Sequence, residues 1–498
     1  MTSEPLYRAT DLRAIEIAAA DQPLMQRAGL AAAALATPLC GDRGASILIL
    51  AGPGNNGGDA FEVAHHLRQR FYEVSVVFAG QAARLPRDAA AAYRRFIDAG
   101  GCTHDCIPSA SHWSLIIDGL FGIGLRREVT GRHADLIAAA NALAIHNRCP
   151  LLALDCPSGL DADTGQRRGV TIRASHTISF IAGKPGLYTG DGPDYCGTVS
   201  IATLALDATK LAAPPGYTVG ANLFSPFLKA RARNSHKGSN GSAGILGGAS
   251  SMVGAAFLAG RAALKLGSGR VYLGLLDPQA PAFDPVQPEL MLRHPDALFT
   301  AGLNALACGP GMGNSHAALA LLEQACALDL PLVLDADALN LAAAEGNLQV
   351  ALASRRAATL LTPHPAEAAR LLDCDTSAVQ ADRIAAAREL AARFNADVAL
   401  KGCGTIIAGA DGRWLVNTTG NPGLASAGTG DVLTGVLTAL LAQGWPARPA
   451  LLAAVHLHGA AADGLVARGC GPIGLTAGEL IDSARGCFNR LILDSPQC

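Results

Sequence analysis

Short apolar runs rich in branched side chains alternate with longer segments of helical spacing through roughly the first 210 residues. Residues 46–51, 74–79, 115–118, 151–155 and 177–181 predict strands. Between the first four, residues 58–70, 87–99 and 131–147 repeat apolar side chains every three to four positions and predict helices. A parallel strand pair needs a long crossover, so this alternation predicts a mainly parallel sheet covered by helices. The pattern lapses at L-A-A-P-P-G-Y-T-V-G (211–220), which reads as a linker. It then resumes with strands at 244–247, 270–276, 303–308, 332–335 and 359–361. Strands at 398–401, 405–408 and 414–416 follow too closely for helices between them and predict a hairpin or meander. Residues 379–394 set Arg and Glu on one face against Ile384, Leu390 and Phe394 on the other, as one helix packed on a sheet would. The last 75 or so residues read as helical.

At 498 residues the chain exceeds one ordinary core, so an α/β domain is expected on each side of about residue 220, spanning 1–215 and 225–495. Half the residues are hydrophobic (50%) and 16% are charged, enough to bury two large cores. A net charge of −2 without a basic block gives no electrostatic support for nucleic-acid or anionic-membrane binding. No apolar run is read as approaching the roughly 20 residues that span a bilayer. The opening M-T-S-E-P-L-Y-R lacks a basic-then-apolar leader pattern. Thirteen scattered cysteines, including Cys149, Cys308 and Cys326 in apolar runs, read as buried free thiols of a reducing compartment. Cys102 and Cys106 have no matching second pair and so do not make a metal site. A cytoplasmic protein is the expectation.

The chemistry concentrates at strand ends. After the first strand comes G-P-G-N-N-G-G-D (52–59), which formally contains the dinucleotide fingerprint G-x-G-x-x-G. That fingerprint expects an acid at the end of the second strand, where this chain reads V-F-A-G-Q (77–81). No Gly-Lys-Ser/Thr follows either, which excludes a Walker loop. Two further strand ends carry carboxylates: Asp118 in D-G-L-F-G-I-G-L and Asp155 in D-C-P-S-G-L-D-A-D-T-G. In a parallel sheet these ends converge, so Asn55, Asn56, Asp59, Asp118, Asp155 and Ser158 would share one crevice. Such an oxygen-rich set suits a hard cation or a sugar-phosphate ligand.

In the second half, N-T-T-G-N-P-G-L-A-S-A-G-T-G-D-V-L-T-G (417–435) runs straight into an apolar helical pattern. Glycines turn backbone N–H groups toward an anion, and a helix starting at 428–431 adds its own unpaired N–H groups and positive dipole end. This predicts a phosphate site with Asp431 poised beside it. Five more strand-end motifs join it: the loop after 244–247 with N-S-H-K-G before it, G-P-G-M-G (309–313), D-A-D-A-L-N (335–340), T-P-H-P-A-E (362–367) and K-G-C-G-T (401–405). His456 and His458 sit two apart on an apparent helix, poor metal geometry, and read as packing or capping residues.

These motifs carry a resemblance. The first half, with K-P-G-L (184–187), resembles the NAD(P)H-hydrate epimerase family over residues 5–210. The second half resembles the ribokinase-like superfamily and, within it, the ADP/ATP-dependent NAD(P)H-hydrate dehydratases over residues 225–490. The implied fold is a Rossmann-like three-layer α/β domain followed by a ribokinase-like α/β domain. By that resemblance Asn56, Asp118 and Ser158 would hold K+. Asn55, Asn56, Gly57, Gly58, Asp59, Gly122, Ile123, Gly124, Leu125, Arg126, Arg127 and Glu128 would embrace the hydrate's nucleotide, and Asp155 would touch its ring as the proton-handling group. In the second domain Ala255, Gly313, His364 and Asp431 would contact the hydrate. Lys401, Gly402, Cys403, Gly404 and Thr405, with Gly428, Thr429 and Gly430, would hold the adenine nucleotide. Asp431 would act as the general base, kept ionised by the helix N-terminus. The implied reaction epimerises hydrated NADH and NADPH at C6 and dehydrates the S-hydrate with ADP, or ATP, giving AMP and phosphate from ADP. Mg2+ is the companion cation, and a homo-oligomer is expected. Ala60 and Ala366 stand where the families favour glycine, and Ile123 where Thr is commoner. The rival readings are a ribokinase-like small-molecule kinase fused to a nucleotide-binding module, and a non-catalytic first domain.

Overall fold

The computed structural model describes residues 2–42, 44–109, 112–125 and 127–494, which divide into two compact units, Pro5–Gly216 and Tyr217 onward. Ser3 and Glu4 belong with the second unit, where Ser3 N donates to Asn222 Oδ1 (2.7 Å) and Glu4 N to Thr218 Oγ1 (2.9 Å).

The first unit is built on β1 (Ser46–Ala51), β2 (Glu73–Phe78), β3 (Thr103–His104), β4 (Leu115–Gly119), β5 (Leu151–Leu154), β6 (His176–Phe180) and β7 (Thr198–Ala202). They lie in the order β3-β2-β1-β4-β5-β6-β7 with every neighbouring pair parallel. The unbroken apolar run I-L-I-L in β1 follows from burial on both faces. Ile47 and Ile49 enter one core with Leu12 and Phe61, while Leu48 and Leu50 enter the other with Trp113 and Ile137. After β1 the chain builds outward to β2 and β3, then returns to place β4 on the opposite side. The crevice at this reversal lies between the carboxyl ends of β1 and β4, where α/β sheets bind ligands.

The second unit contains β8 (Ser242–Gly247), β9 (Arg270–Leu275), β10 (Met291–Arg293), β11 (Ala305–Cys308), β12 (Leu332–Leu334), β13 (Thr359–Leu361), β14 (Asp397–Leu400), β15 (Ile406–Ala408) and β16 (Trp414–Val416). Their order is β16-β15-β14-β13-β12-β11-β8-β9-β10. Pairs from β14 to β10 are parallel, and β14-β15-β16 forms the antiparallel meander that their close spacing predicted. Both units are therefore α/β, as expected. A large core joins this sheet to the helices Val253–Lys265, Thr429–Ala442 and Ala447–Ala467. Gly435 lets two of them close up, since a Cβ there would strike the Ala259 carbonyl.

Several expectations need correction. Asp155 and Ile181 do not extend their strands: both adopt left-handed backbone (φ 66° and 69°), which no strand accommodates. The helix expected at 58–70 begins three residues earlier, at Asn55. The single helix expected at 379–394 is two, Thr376–Ala381 and Arg383–Phe394, because Asp382 caps the second by accepting from Ala385 N. The supposed linker includes the strand Gly216–Thr218. Ala447–Ala467, 21 residues long, is apolar enough by length and composition to cross a membrane, against the reading that nothing approached that length. Its most apolar stretch is 67% buried within its unit, so its composition follows from core packing. The described cysteines are free, but Cys102, Cys106, Cys374, Cys403 and Cys470 are exposed, so burial describes only part of the set.

Candidate active sites

In the first unit, helix Asn55–Gln69 starts directly from the glycine loop after β1. Gly52 and Gly57 are required by close approach, because a Cβ on either would collide with backbone, at Leu120 and Gly52 respectively. This packing seats Asn56 between strand ends: its Nδ2 donates to Leu154 O (3.2 Å), while its buried Oδ1 has no partner. Asp118, fully buried at the end of β4, accepts from Ser158 Oγ (2.7 Å) and Leu120 N (3.2 Å) through Oδ1 and from Ser158 N (2.8 Å) through Oδ2. Burial pushes Asp118 up to about 6 despite these bonds. An orphaned amide oxygen, a buried carboxylate and a hydroxyl are oxygen donors of the kind a hard cation takes.

Asp155 occupies its strained position just beyond β5. Its Oδ2 accepts from Ile123 N (3.1 Å), and a Cβ on Gly122 would press on that same oxygen. Its Oδ1 pairs with Lys184 Nζ at 2.7 Å. Lys184 is fully buried and also donates to Ser179 Oγ (2.7 Å). Asp59 lies in the same field: burial first, then the charges of Asp155, Glu16 and Glu62, raise it well above the usual carboxylate range. Glu16 is raised likewise by burial and by Asp155. The structure thus brings Asn56 to the end of β5 and Asp118 to Ser158, and it groups Asp59 with Asp155. Arg127 and Glu128 are exposed, and Arg126 lies outside the described residues. Lys184 and Glu16 were missed as site residues. Lys184 stood inside a quoted motif, but only tertiary structure reveals its partner. Ala60, fully buried, packs beside Gly119, whose missing side chain makes room for it.

Lys184→Met strands the largely buried Asp155 carboxylate without a counter-charge. The first unit is expected to lose roughly 3–5 kcal/mol of stability, read as a lower urea midpoint of its unfolding transition.

In the second unit, Gly428 caps helix Thr429–Ala442 in the left-handed conformation (φ 86°), which places Asp431 in the first turn. His458 Nε2 lies 2.8 Å from Thr429 O. Burial pushes this imidazole down to about 4, so it is neutral and donates Nε2–H to that carbonyl, supporting the start of the helix. His456 packs against the Phe224 ring at 5.5 Å. Both histidines act as the packing and capping groups their spacing implied. Asp463 holds the preceding loop, accepting from Gly420 N (2.8 Å) and Asn421 Nδ2 (2.9 Å).

Behind the loop, Asp335 at the end of β12 is buried and accepts from Lys401 Nζ (2.6 Å) and Thr434 Oγ1 (2.8 Å). Lys401 Nζ also lies 3.9 Å from Glu367 Oε2. Burial opposes the Lys401 charge, but Asp335 and Glu367 hold its pKa above the ordinary lysine value. Asp431 is the opposite case. Burial, reinforced by the Asp335 charge, pushes it up to about 7, with Lys401 pulling the other way. The helix N-terminus therefore does not keep Asp431 far below neutrality, as the sequence had suggested. Desolvation comes first among the causes and the neighbouring Asp335 carboxylate second.

His364 caps helix Pro365–Leu372: its Nδ1 accepts from Ala366 N (3.1 Å) and Glu367 N (3.3 Å), and Glu367 Oε2 accepts from His364 N (2.7 Å). Its Nε2 lies 3.2 Å from Glu367 Oε1. Gly313 N donates to Asp337 Oδ2 (2.8 Å), tying that loop to a carboxylate that also acts on Asp431. Ala255 stands beside Gly311, whose added Cβ would meet it at 3.2 Å. In the K-G-C-G-T loop Gly402 and Cys403 are exposed and Gly404 and Thr405 half-buried. Arg383 braces this loop from beneath, its guanidinium donating to Leu400 O and Lys401 O (3.2 Å each). Asp335, Glu367 and Thr434 stood inside quoted motifs without a role of their own and His458 was read as packing or capping, while Asp463 and Arg383 carried no signal because their partners lie elsewhere in the chain.

Two families match these two halves: YjeF-related protein N-terminus over residues 21–186 and NAD(P)H-hydrate dehydratase over residues 243–483. The chain is 36% identical to the bifunctional NAD(P)H-hydrate repair enzyme Nnr of Escherichia coli, covering 98% of this chain and 95% of that protein. The Nnr protein of Coxiella burnetii is also 36% identical, with 97% and 99% covered. Among solved structures, an ADP/ATP-dependent NAD(P)H-hydrate dehydratase from Bacillus subtilis, co-crystallised with ATP/Mg2+, is 31% identical over 55% of this chain and 98% of that one, with a TM-score of 0.48. With relatives of this identity aligned over nearly its whole length, the chain belongs to the family of bifunctional NAD(P)H-hydrate repair enzymes.

Proposed function

We propose that this chain repairs hydrated NADH and NADPH, with residues 1–215 interconverting the C6 epimers and residues 225–495 dehydrating the S-hydrate at the expense of ADP. The observation that carries the dehydratase reading is Asp431 itself: a carboxylate with a pKa of about 7, in the first turn of a glycine-capped helix, beside Lys401. A general base works best with a pKa near the operating pH.

Hydroxide leaves carbon poorly, so the C6 oxygen is first made into a phosphate ester. Asp431 takes the hydroxyl proton as that oxygen attacks the terminal phosphorus of ADP, and AMP departs. Backbone N–H groups of residues 428–430 and the Lys401 ammonium balance charge on the transferring group. The ring-nitrogen lone pair then expels phosphate, and loss of a C5 proton restores the dihydropyridine. The K-G-C-G-T loop and Gly428, Thr429 and Gly430 hold the nucleotide. Ala255, Gly313 and His364 contact the hydrate. Among the described residues no three His, Cys, Asp or Glu side chains converge on a metal position, so Mg2+ would arrive on the nucleotide phosphates.

In the first unit Asn56, Asp118 and Ser158 would hold K+, which when bound supplies a fixed positive charge beside the ligand. Residues 55–59 and 122–128 take the nucleotide part of the hydrate. Asp155, oriented by Lys184 and Ile123 N, handles the proton at the ring, and Asp59 and Glu16 share its field. Ring-opening and water-loss routes both fit this arrangement.

The deciding experiment supplies racemic NADH hydrate, ADP, Mg2+ and K+. The expected result is full recovery of reduced-nicotinamide absorbance with stoichiometric AMP and phosphate. A stable phosphorylated product without that absorbance would establish the small-molecule kinase reading instead.

A further inference from the structure

Beyond Gly313, on the side away from the nucleotide loops, lies a groove of about 650 Å³ of whose lining the roles described above use Gly313 alone. Its volume is that of a small-molecule site. Apolar side chains line it, among them Leu275, Pro278, Met312 and Leu321, together with Ala320 on helix His316–Cys326. The strand order fixes its direction. K-G-C-G-T leaves β14, Asp335 leaves β12, Gly313 follows β11, and the groove sits over the ends of β8 and β9. A molecule reaching from Asp431 past Gly313 therefore runs away from ADP. Three strand spacings, roughly 14 Å in all, separate β12 from β9, a distance that a pyrophosphate bridge between two ribosides can cover.

The groove's charges are specific. Its lining contains no Lys or Arg, and its ionisable members are His294 and Asp296, paired Nδ1 to Oδ2 at 3.1 Å. His294 is already engaged by Asp296, so the pair offers a phosphate no free cation. A carboxylate accepts from a ribose hydroxyl and repels a ribose phosphate, which is how dinucleotide sites distinguish the two cofactors.

Resting on the dehydratase reading, we infer that this groove receives the adenosine half of the hydrated dinucleotide and that Asp296 makes the chain favour the hydrate with a free ribose 2′-hydroxyl over its 2′-phosphorylated counterpart. Apolar walls take the adenine faces, and the pyrophosphate passes over Gly313, whose left-handed backbone (φ 70°) favours glycine.

The test measures ADP-dependent kcat/KM for NADH hydrate and NADPH hydrate separately. The parent is expected to favour NADH hydrate on the order of tenfold, the scale of a phosphate dianion close to one exposed carboxylate. Asp296→Asn should remove most of that preference by lowering KM for NADPH hydrate, and Asp296→Arg should invert it. Asp296 is exposed, so neither change threatens folding. Ala320→Trp, which fills the groove from an exposed helix position, should raise KM for both hydrates while leaving KM for ADP unchanged. Equal kcat/KM for the two hydrates in the parent, or an unmoved hydrate KM in Ala320→Trp, would overturn this inference alone. Turnover of neither hydrate would overturn the dehydratase reading and this inference with it.

Discussion

Asp431→Asn is expected to lower kcat for ADP-driven dehydration by roughly 10²–10⁴-fold while the KM for ADP stays largely unchanged. Asparagine preserves the shape and the helix first turn but cannot take the hydroxyl proton. The nucleotide keeps its glycine-loop N–H groups and Lys401, whose position is set by Asp335 at 2.6 Å and not by Asp431. The parent enzyme supplies a second reading of the same residue. With Asp431 pushed up to about 7, its ionised fraction rises with pH through neutrality, so kcat/KM should climb across that range and level off above it. In Asp431→Asn the residual rate should lose that acid limb. An unchanged limb would assign the titration to another group. Replacing Asp335 by Asn removes a neighbouring negative charge, so the limb should move to lower pH, although freeing Lys401 will also weaken phosphate handling.

The second large effect concerns the other unit. With Asp155→Asn the S-hydrate should be consumed at the parent rate, while the R-hydrate drains only by spontaneous epimerisation. A racemic mixture should then show a fast phase of about half amplitude followed by a slow one, resolved by following the two epimers chromatographically. The dehydratase residues are untouched, so the fast phase is an internal control. Equal fast loss of both epimers would favour a first domain that binds without catalysing. The expectation rests on geometry: a left-handed backbone at a non-glycine residue, with one oxygen on Ile123 N and the other on a buried lysine, is a costly arrangement that a turn alone does not require.

Much of this is legible in the sequence. Strand runs such as 46–51 and 359–361 could be read because a parallel strand buried on both faces is apolar along most of its length. The helix at 131–147 was readable to the residue from its apolar spacing, and the structure places positive φ at Gly131 and Arg148 where it begins and ends. The strand Thr198–Ala202 escaped because it is an edge strand whose half-exposed residues carry little apolar signal. The helix Leu24–Cys40 escaped because alanine packs on either face and blurs the periodicity.

The division at the sites follows the same logic. Glycine loops, the Asp and Asn residues beside them and their position after strands are properties of contiguous segments, so the sequence by itself determined two α/β halves, the candidate residues and the family. Charge state and orientation are set by neighbours from distant segments, and only the tertiary structure decided them. Asp335, 96 residues before Asp431, is what helps carry that carboxylate to about 7, against the dipole that the local sequence advertised. Lys184 orients Asp155, His458 holds the start of the Asp431 helix, and the groove beyond Gly313 exists only where β8, β9 and helix His316–Cys326 meet. Desolvation and Coulomb energy depend on distance in space, which a chain acquires only when it folds.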